Sequence, residues 1–415
     1  MPGCEVPLVK ALQWQTGVHF DWPWRRGTAE ESLTADIRLE IKVSHRPRVT
    51  RLDGLRGLAV LSVVLFHAEV NLGAFGRPGG GYTGVAVFFV LSGYLITRLV
   101  WRSGDGASMS GYWAFVRRRF TRLAPALMAF VGVWTLVLVV LDLEPVGNVL
   151  RSAVLATTQT SAYYLAAGGR DRVASGPTWG PTWSLSVEWC FYLLWPLVVC
   201  FLRRRRVSAV AASRVAIGLG LVLYVVALPL TDTQFYYLPL ANVSVLLWGG
   251  ALALRHIRRS TGVDLGNTGR DPAVVLLGIA LLVALAAAPA DQGGGYRWLF
   301  LPAAVVGALI VVDARPGTCG LADRLLELRL LRGVGLRAYS IYLWHVPVMY
   351  VMFVVLPGRP AYVVAGLAML LLVPVVLVSF ELFERPWLSG GGRVIPHPPR
   401  IQWAPRQGYP PGKGD

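Results

Sequence analysis

Cysteine is scarce in this chain of 415 residues, which contains only four: Cys4, Cys190, Cys200 and Cys319. They lie far apart, and two of them fall inside apolar runs, so their spacing matches neither a zinc site nor a disulfide framework. We therefore expect no metal centre and treat the thiols as chemically inert.

Charged residues are also sparse, at 15% of the chain, whereas 54% of the residues are hydrophobic and the mean hydropathy is +0.52. Soluble domains carry about 25% charged residues, so this composition excludes one and predicts a polytopic membrane protein. Only three of the 40 basic residues are lysines, and the arginines cluster between apolar segments. That placement is typical of membrane topology, so the net charge of +17 does not indicate a nucleic-acid partner.

The apolar segments predict an all-α polytopic fold with ten transmembrane helices in the lipid bilayer of the plasma membrane. They lie roughly at 52–72, 84–101, 122–141, 186–202, 209–229, 236–254, 273–290, 297–313, 338–357 and 361–383. Arginine-rich loops such as Arg117–Arg119 and Arg203–Arg206 alternate with loops that hold few arginines. By the positive-inside rule, both termini are predicted to be cytoplasmic.

Three regions follow from this pattern: a leader at 1–49, a ten-helix membrane domain at 50–388 and a tail at 389–415. The leader has no sustained apolar period and lacks the apolar core of a secretory signal, so we expect a poorly ordered cytoplasmic segment. The tail is rich in proline, glycine and arginine, and we expect it to be disordered in the cytoplasm. Asn148–Ala167 is moderately apolar but holds adjacent polar residues, so it is interpreted as an outer-face or re-entrant element.

The stretch Arg51–Ala68 places Arg56 and His67 eleven residues apart in apolar sequence. Eleven residues at about 100° each return to the same helical face, and they separate the two side chains by about 16 Å along the axis. His67 is then predicted near the middle of the bilayer. An ionisable group at that depth is costly unless it faces protein or water, so His67 is a candidate functional residue.

Two further stretches offer candidates for binding an anionic ligand. Ser92 and Gly93 lie in the middle of the second segment, where small residues either permit close helix packing or leave room for a ligand chain beside the first helix. Arg118, Arg119 and Arg122 crowd the predicted cytoplasmic end of the third segment. Arginine forks suit the phosphates of coenzyme A or a nucleotide, although positive-inside anchoring explains the cluster equally well.

Ser184, Glu188 and Tyr192 are spaced four residues apart and share one face of the fourth predicted helix. Together with Trp183 they resemble a platform for a carbohydrate or another polar ligand. Tryptophans near a membrane interface are equally typical of an aromatic belt. Glu188 needs a partner in either case, because a carboxylate within a membrane helix is costly.

Late in the chain, His345 falls in another predicted span beside several tyrosines, and we interpret it as a structural, hydrogen-bonded residue. Glu384 and Arg385 follow the last predicted span and precede Pro386. A local ion pair between these two neighbours is the simplest interpretation.

Six motifs in order, from Arg51 to Pro386, resemble the membrane-embedded acyltransferase type 3 family. They are RLDGLRGLAVLSVVLFHA, FFVLSGYLIT, RRRFTRLAP, WSLSVEWCFYLLWP, YSIYLWHVP and FERP. The family includes bacterial O-acetyltransferases of O-antigen and exopolysaccharide and O-acyltransferases of macrolides. The resemblance implies that Arg56 and His67 are the essential pair, Arg119 and Arg122 the cytoplasmic arginine pair, and Glu188 the acid that follows WSLS. Some members carry a further hydrolase-like domain, which we do not expect in the tail of this chain.

Acyl transfer to an alcohol needs a base or a nucleophile, and an imidazole can serve as either. We therefore expect His67 to be the base or a transient acyl carrier. Arg56, Arg119 and Arg122 are expected to hold an acyl-CoA co-substrate, with no tightly bound cofactor. Ser184 and Glu188 are expected to orient the acceptor hydroxyl.

Three functions remain open on the sequence. The first is O-acetylation of an envelope or exported carbohydrate from cytoplasmic acetyl-CoA. The second is O-acylation of a macrolide or another secreted small molecule. The third belongs to another class, a proton-coupled transporter in which Arg56, His67 and Glu188 line an ion path.

Overall fold

The computed structural model describes residues 50–74, 79–103, 108–169, 179–261, 272–289, 295–313 and 320–388. The predicted leader at 1–49 and the predicted tail at 389–415 lie outside the described residues, so their predicted disorder and the cytoplasmic location of both termini stay predictions. The described residues form helices and no named strand.

Sixteen α-helices follow one another along the described chain. They are α1 (Thr50–Leu72), α2 (Thr83–Arg102), α3 (Met109–Val140), α4 (Val146–Thr157), α5 (Ser161–Ala166), α6 (Thr182–Arg204), α7 (Ala209–Ala227), α8 (Asp232–Tyr237), α9 (Pro239–Thr261), α10 (Pro272–Ala287), α11 (Leu301–Asp313), α12 (Gly320–Leu326), α13 (Arg329–Leu336), α14 (Ala338–Val355), α15 (Ala361–Ser379) and α16 (Arg385–Leu388). Two π-helical segments are also present: Tyr296–Phe300 leads directly into α11, and Phe380–Glu384 joins α15 to α16.

Nine of the helices in the described ranges are long and apolar enough to cross a membrane. They correspond to nine of the ten predicted segments and confirm an all-α, multi-pass membrane protein. The seventh predicted segment is helical too, but its apolar part, Ala273–Ala287, is shorter than a full span. An α-helix rises 1.5 Å per residue, so these 15 residues cover only about 22 Å of a hydrocarbon core about 30 Å thick.

The third long helix differs from its predicted extent, because α3 begins at Met109 and not at 122. Ser108 caps it by accepting a hydrogen bond from the Gly111 amide at 2.9 Å. Tyr112 and Phe115 are buried on the added turns, so tertiary packing stabilises a helix that the hydropathy pattern alone does not include. The arginine cluster therefore lies within α3 and not at its start.

The segment that was interpreted as an outer-face or re-entrant element forms α4 and α5, which are both too short to span a bilayer. Ser161 at the start of α5 is hydrogen-bonded to the side chains of Thr182 and Ser186 on α6, at 3.1 Å each. These contacts attach the element to α6, the helix that carries Glu188.

Gly93 marks the close approach of α2 and α9. A Cβ atom at this position would lie 1.8 Å from the carbonyl oxygen of Leu246 on α9, so no other residue fits. The expectation that Gly93 leaves room for a ligand chain beside the first helix is therefore wrong, because helix backbone occupies that space.

Candidate active site

His67 and His345 face each other in the interior of the helix bundle. Nδ1 of His67 on α1 lies 3.2 Å from Nε2 of His345 on α14, and the ring centroids are 4.9 Å apart. His345 is completely buried, whereas His67 is only half-buried. The sequence assigned His345 a structural role and did not pair it with His67, because the two residues are 278 positions apart.

The hydrogen bonds around this pair define which nitrogen of each neutral ring carries the proton. Nδ1 of His345 lies 2.8 Å from the carbonyl oxygen of Tyr342 and 3.1 Å from that of Ile341. Carbonyl oxygens only accept, so Nδ1 of His345 is the donor and its Nε2 carries the lone pair. Nδ1 of His67, which is also 2.9 Å from the carbonyl oxygen of Val63, donates in turn. Nε2 of His67 is left as the unprotonated nitrogen.

Glu188 on α6 is the acidic member of the site. Its two carboxylate oxygens accept hydrogen bonds from Ser92 on α2, at 2.6 Å, and from Tyr192 one turn along α6, at 2.7 Å. Glu188 also interacts electrostatically with Arg119 and Arg56. These contacts supply the partner that a carboxylate in a membrane helix requires. They also place Ser92 of α2 beside Glu188.

The three arginines of the predicted cluster separate in the structure. Arg119 is half-buried, and its guanidinium carbon lies 5.6 Å from the ring centroid of Tyr192, where it interacts with Glu188, Arg122 and Arg56. Arg118 is exposed and lines a different, small pocket between α2, α3 and α6. The structure thus groups Arg119 and Arg122, as the resemblance implies, and leaves Arg118 outside the group.

Arg56 lies on α1 on the same helix as His67, and its guanidinium is 3.2 Å from the carboxylate of Asp53. It interacts electrostatically with Arg119 on α3 and with Glu188 on α6. Val60 and Val63, which lie between Arg56 and His67 on the predicted stripe, are fully buried. The side of α1 that carries Arg56 and His67 therefore faces inward, and it runs from the charged cluster to the histidine pair.

Ser184 and Trp183, which were predicted to bind the acceptor, are both buried at the start of α6. The Ser184 hydroxyl lies 2.7 Å from the phenol oxygen of Tyr342, and the Trp183 ring packs at 4.9 Å from the ring of Tyr236. Trp183 therefore belongs to an internal aromatic cluster and not to a lipid-facing belt.

Tyr342 is the residue that joins the two halves of the site, and sequence reasoning missed it. Its ring lies 5.8 Å from that of His345, its hydroxyl bonds Ser184, and it interacts electrostatically with Glu188. The available signal was the spacing of Tyr342 and His345, which are three residues apart and share a face of α14. Tyr342 thus lies against His345 on one side and is hydrogen-bonded to Ser184 of the Glu188 helix on the other.

The ion pair expected between Glu384 and Arg385 does not form. Arg385 pairs with Glu381, four residues earlier, whereas Glu384 accepts a hydrogen bond from Ser340 on α14. The π-helical segment Phe380–Glu384 changes the register at the end of α15 and brings Glu384 inward, where it also interacts with Arg122.

The site is rich in groups that handle protons and anions. Arg119 and Arg122 have the fork geometry that binds phosphate oxygens, and Nε2 of His67 is a base. Within the described ranges, no three side chains of histidine, cysteine, aspartate or glutamate come together as metal ligands.

Comparison with known proteins identifies the family. A family model described as an acyltransferase domain matches residues 49–379. The chain is 27% identical over 365 residues to the O-acetyltransferase OatA of Staphylococcus aureus, covering 84% of this chain and 58% of that protein. It is 29% identical over 317 residues to the peptidoglycan O-acetyltransferase OatA of Listeria monocytogenes, covering 73% of this chain and 50% of that protein.

The chain thus spans a little over half the length of the curated relatives that it matches. No solved structure matches it. The family model covers most of the membrane-spanning region, including Arg56, His67, Glu188 and His345. This chain belongs to the family of integral membrane proteins defined by the acyltransferase domain.

Proposed function

We propose that this protein is an integral membrane O-acyltransferase that moves an acetyl group from cytoplasmic acetyl-CoA to a hydroxyl of a cell-envelope carbohydrate. Membership of the acyltransferase family supports the reaction class. The names of the relatives, O-acetyltransferase and peptidoglycan O-acetyltransferase, support the acetyl group and the carbohydrate acceptor.

The observation that carries this proposal is the orientation of His67. The contacts of Nδ1 with Val63 and His345 leave Nε2 of His67 unprotonated in a half-buried ring. Arg56, on the same side of α1, interacts with Arg119 and Glu188. A base with a fixed tautomer, on the same inward-facing side of α1 as the anion-binding Arg56, suits transfer from a charged thioester to an alcohol.

In the direct route, Nε2 of His67 takes the hydroxyl proton of the acceptor as the acceptor oxygen attacks the thioester carbonyl carbon. The carbon–sulfur bond then breaks, and the resulting imidazolium returns the proton to the departing thiolate. In the alternative route, Nε2 attacks the thioester carbonyl carbon, and the carbon–sulfur bond breaks to release the coenzyme A thiolate. The acceptor oxygen then attacks the acyl carbon, the acyl–nitrogen bond breaks, and the hydroxyl proton passes to the thiolate. Both routes use the same nitrogen and require the same tautomer.

The remaining groups divide between the two substrates. Arg56, Arg119 and Arg122 hold the phosphates of the donor, because bidentate guanidinium contacts suit phosphate oxygens. Glu188 and Ser184, which both lie near Tyr342, orient the acceptor hydroxyl. His345 positions His67 and does not itself contact the substrates.

The test uses the purified protein in sealed vesicles with acetyl-CoA labelled in the acetyl group and a peptidoglycan-derived glycan. We expect donor-dependent label on a glycan hydroxyl, released by mild base as acetate. Ion flux in the absence of a donor, with no labelled product, would instead identify a transporter. Label on a macrolide but on no glycan would assign the acceptor to secreted small molecules and overturn the carbohydrate proposal.

A further inference from the structure

A groove on the outside of the bundle lies apart from the candidate active site. It has a volume of about 400 Å³ and runs between α1, α13, α14 and α15. Its walls are apolar over most of their length, with Leu61 and Val64 from α1 facing Met369 and Val373 from α15. This volume falls in the range of about 300 to 1,000 Å³ that is typical of sites for small ligands.

One end of the groove is basic. Arg329 and Arg337 line it there, and neither forms an ion pair with a carboxylate in the part of the chain that the structure describes. Arg337 donates to the carbonyl oxygen of Gly333 at 3.2 Å and lies 5.0 Å from the ring centroid of Phe380. The guanidinium of Arg337 thus has no anionic partner among the described residues.

The basic end lies at the level of the membrane surface. Helix α13 has only eight residues, so it cannot span, and Leu330 beside Arg329 is 81% exposed. A short helix that begins with two arginines flanking an exposed leucine is typical of a segment lying in the interface. Nearby, Arg51 at the start of α1 lies 3.9 Å from Asp323 of α12, at the arginine-rich end of the bundle. The apolar end of the groove therefore extends from this surface towards the hydrocarbon core.

We propose that the groove binds one anionic phospholipid, with its phosphate between Arg329 and Arg337 and an acyl chain along Leu61 and Val373. A water-soluble ligand does not suit these walls, because almost all of the lining is apolar. An anionic headgroup complements the two arginines better than a zwitterionic one, in which an amine offsets the phosphate charge. This site goes beyond the proposed transferase function, since neither substrate needs it.

The position of the groove links the lipid to the histidine pair. Val64 in its wall precedes His67 by one turn of α1, and Ile341, also in its wall, precedes His345 by one turn of α14. A lipid that contacts both helices therefore stabilises the contact between them.

The test measures lipid binding directly, without donor or acceptor, so it is independent of the transferase proposal. The full chain, purified in detergent, is titrated with phosphatidylglycerol or phosphatidylcholine, and bound lipid is counted by native mass spectrometry. We expect the unaltered chain to retain phosphatidylglycerol preferentially. Each of the substitutions Arg329→Gln and Arg337→Gln should reduce this preference about fivefold. Arg214→Gln, an exposed arginine outside the groove, is the control and keeps the preference.

Equal retention of the two lipids by the unaltered chain would overturn the proposal, as would an unchanged preference after both arginine replacements. Should the double variant fail to fold, Arg329→Gln alone decides, because Arg329 is exposed. A second pair of variants tests the apolar walls. Val373 lines the groove and Val378 on the same helix does not, and both are 57% exposed. We expect Val373→Trp to displace the lipid and Val378→Trp to retain it, and equal binding by these two variants contradicts the proposal.

Discussion

The side chains of His67 and His345 form a direct imidazole–imidazole contact, with 3.2 Å between Nδ1 of the first and Nε2 of the second. The backbone carbonyl oxygen of Tyr342 determines the tautomer of His345, and the Val63 carbonyl oxygen together with Nε2 of His345 determines that of His67. This arrangement resembles that of the histidine in a catalytic triad, in which a buried partner holds one ring nitrogen and leaves the other free to react. The following predictions depend on this arrangement and on the groups connected to it.

Replacing His67 with glutamine should abolish acetyl transfer, because glutamine has no nitrogen that accepts a proton near neutral pH. The expected loss is about 100- to 10,000-fold in kcat, the usual contribution of a general base. Labelled acetate on the glycan measures transfer. Donor binding by the variant serves as the control and should stay unchanged, whereas full activity of His67→Gln would exclude His67 from the chemistry.

The role of His345 can be separated from simple packing by two variants of similar volume. His345→Phe fills the space but cannot accept the hydrogen bond from His67, so we expect kcat to fall about 10- to 100-fold, as for other partners that orient a histidine. His345→Gln retains an acceptor and should recover part of that loss. The KM values for donor and acceptor should not change. Equal kcat in the two variants would indicate that only volume matters at this position.

Arg119 and Arg118 are adjacent in sequence but differ in location, so they form a matched pair. Arg119 lies against Tyr192 in the buried cluster, whereas Arg118 is exposed and faces a different pocket. Arg119→Gln should raise the donor KM about 10- to 100-fold, the effect of losing one charge-assisted hydrogen bond. Arg118→Gln should leave it unaltered. An equal effect of both substitutions would indicate that these arginines determine membrane topology and do not bind the donor.

Glu188 accepts one hydrogen bond on each carboxylate oxygen, from Ser92 and from Tyr192. Glu188→Gln replaces one of those acceptors with an amide that only donates, so one hydroxyl loses the acceptor for its proton at a cost of about 1 to 3 kcal/mol. We expect a lower midpoint of thermal unfolding and a higher KM for the acceptor. Ser92→Ala removes a donor and not an acceptor, and it should destabilise the protein less. A Glu188→Gln variant as stable as the unaltered protein contradicts this account of the hydrogen bonds.

Gly93 should tolerate no side chain. In Gly93→Ala the new methyl group would meet the carbonyl oxygen of Leu246, and α2 and α9 would have to separate at a cost of about 1 to 3 kcal/mol. Gly132 on α3 has open space at the corresponding position and provides the control. Thermal unfolding in detergent compares the two, and a Gly93→Ala protein as stable as Gly132→Ala would show that the helices can adjust.

The sequence alone determined the class of fold and pointed to most residues of the candidate site. The low charge content and the apolar segments required membrane helices, because lipid leaves backbone groups no partner outside the chain. Nine of the ten predicted segments have helices of spanning length. Arg56, His67 and Glu188 were recognisable because ionisable residues are rare and costly in such segments.

Only the tertiary structure decided which of these residues meet. A sequence period shows which side chains share a face of one helix, and this sufficed for Glu188 and Tyr192 on α6. It does not show which face is inward when a helix is apolar all round, as helices in lipid are. The contacts of His67 with His345, across 278 positions, and of Ser92 with Glu188, across 96, depend on how separate helices pack. For the same reason the sequence alone left two interpretations of Gly93 open, helix packing or space for a ligand. It also grouped Arg118 with Arg119, because both assignments depend on neighbours that are remote in the chain.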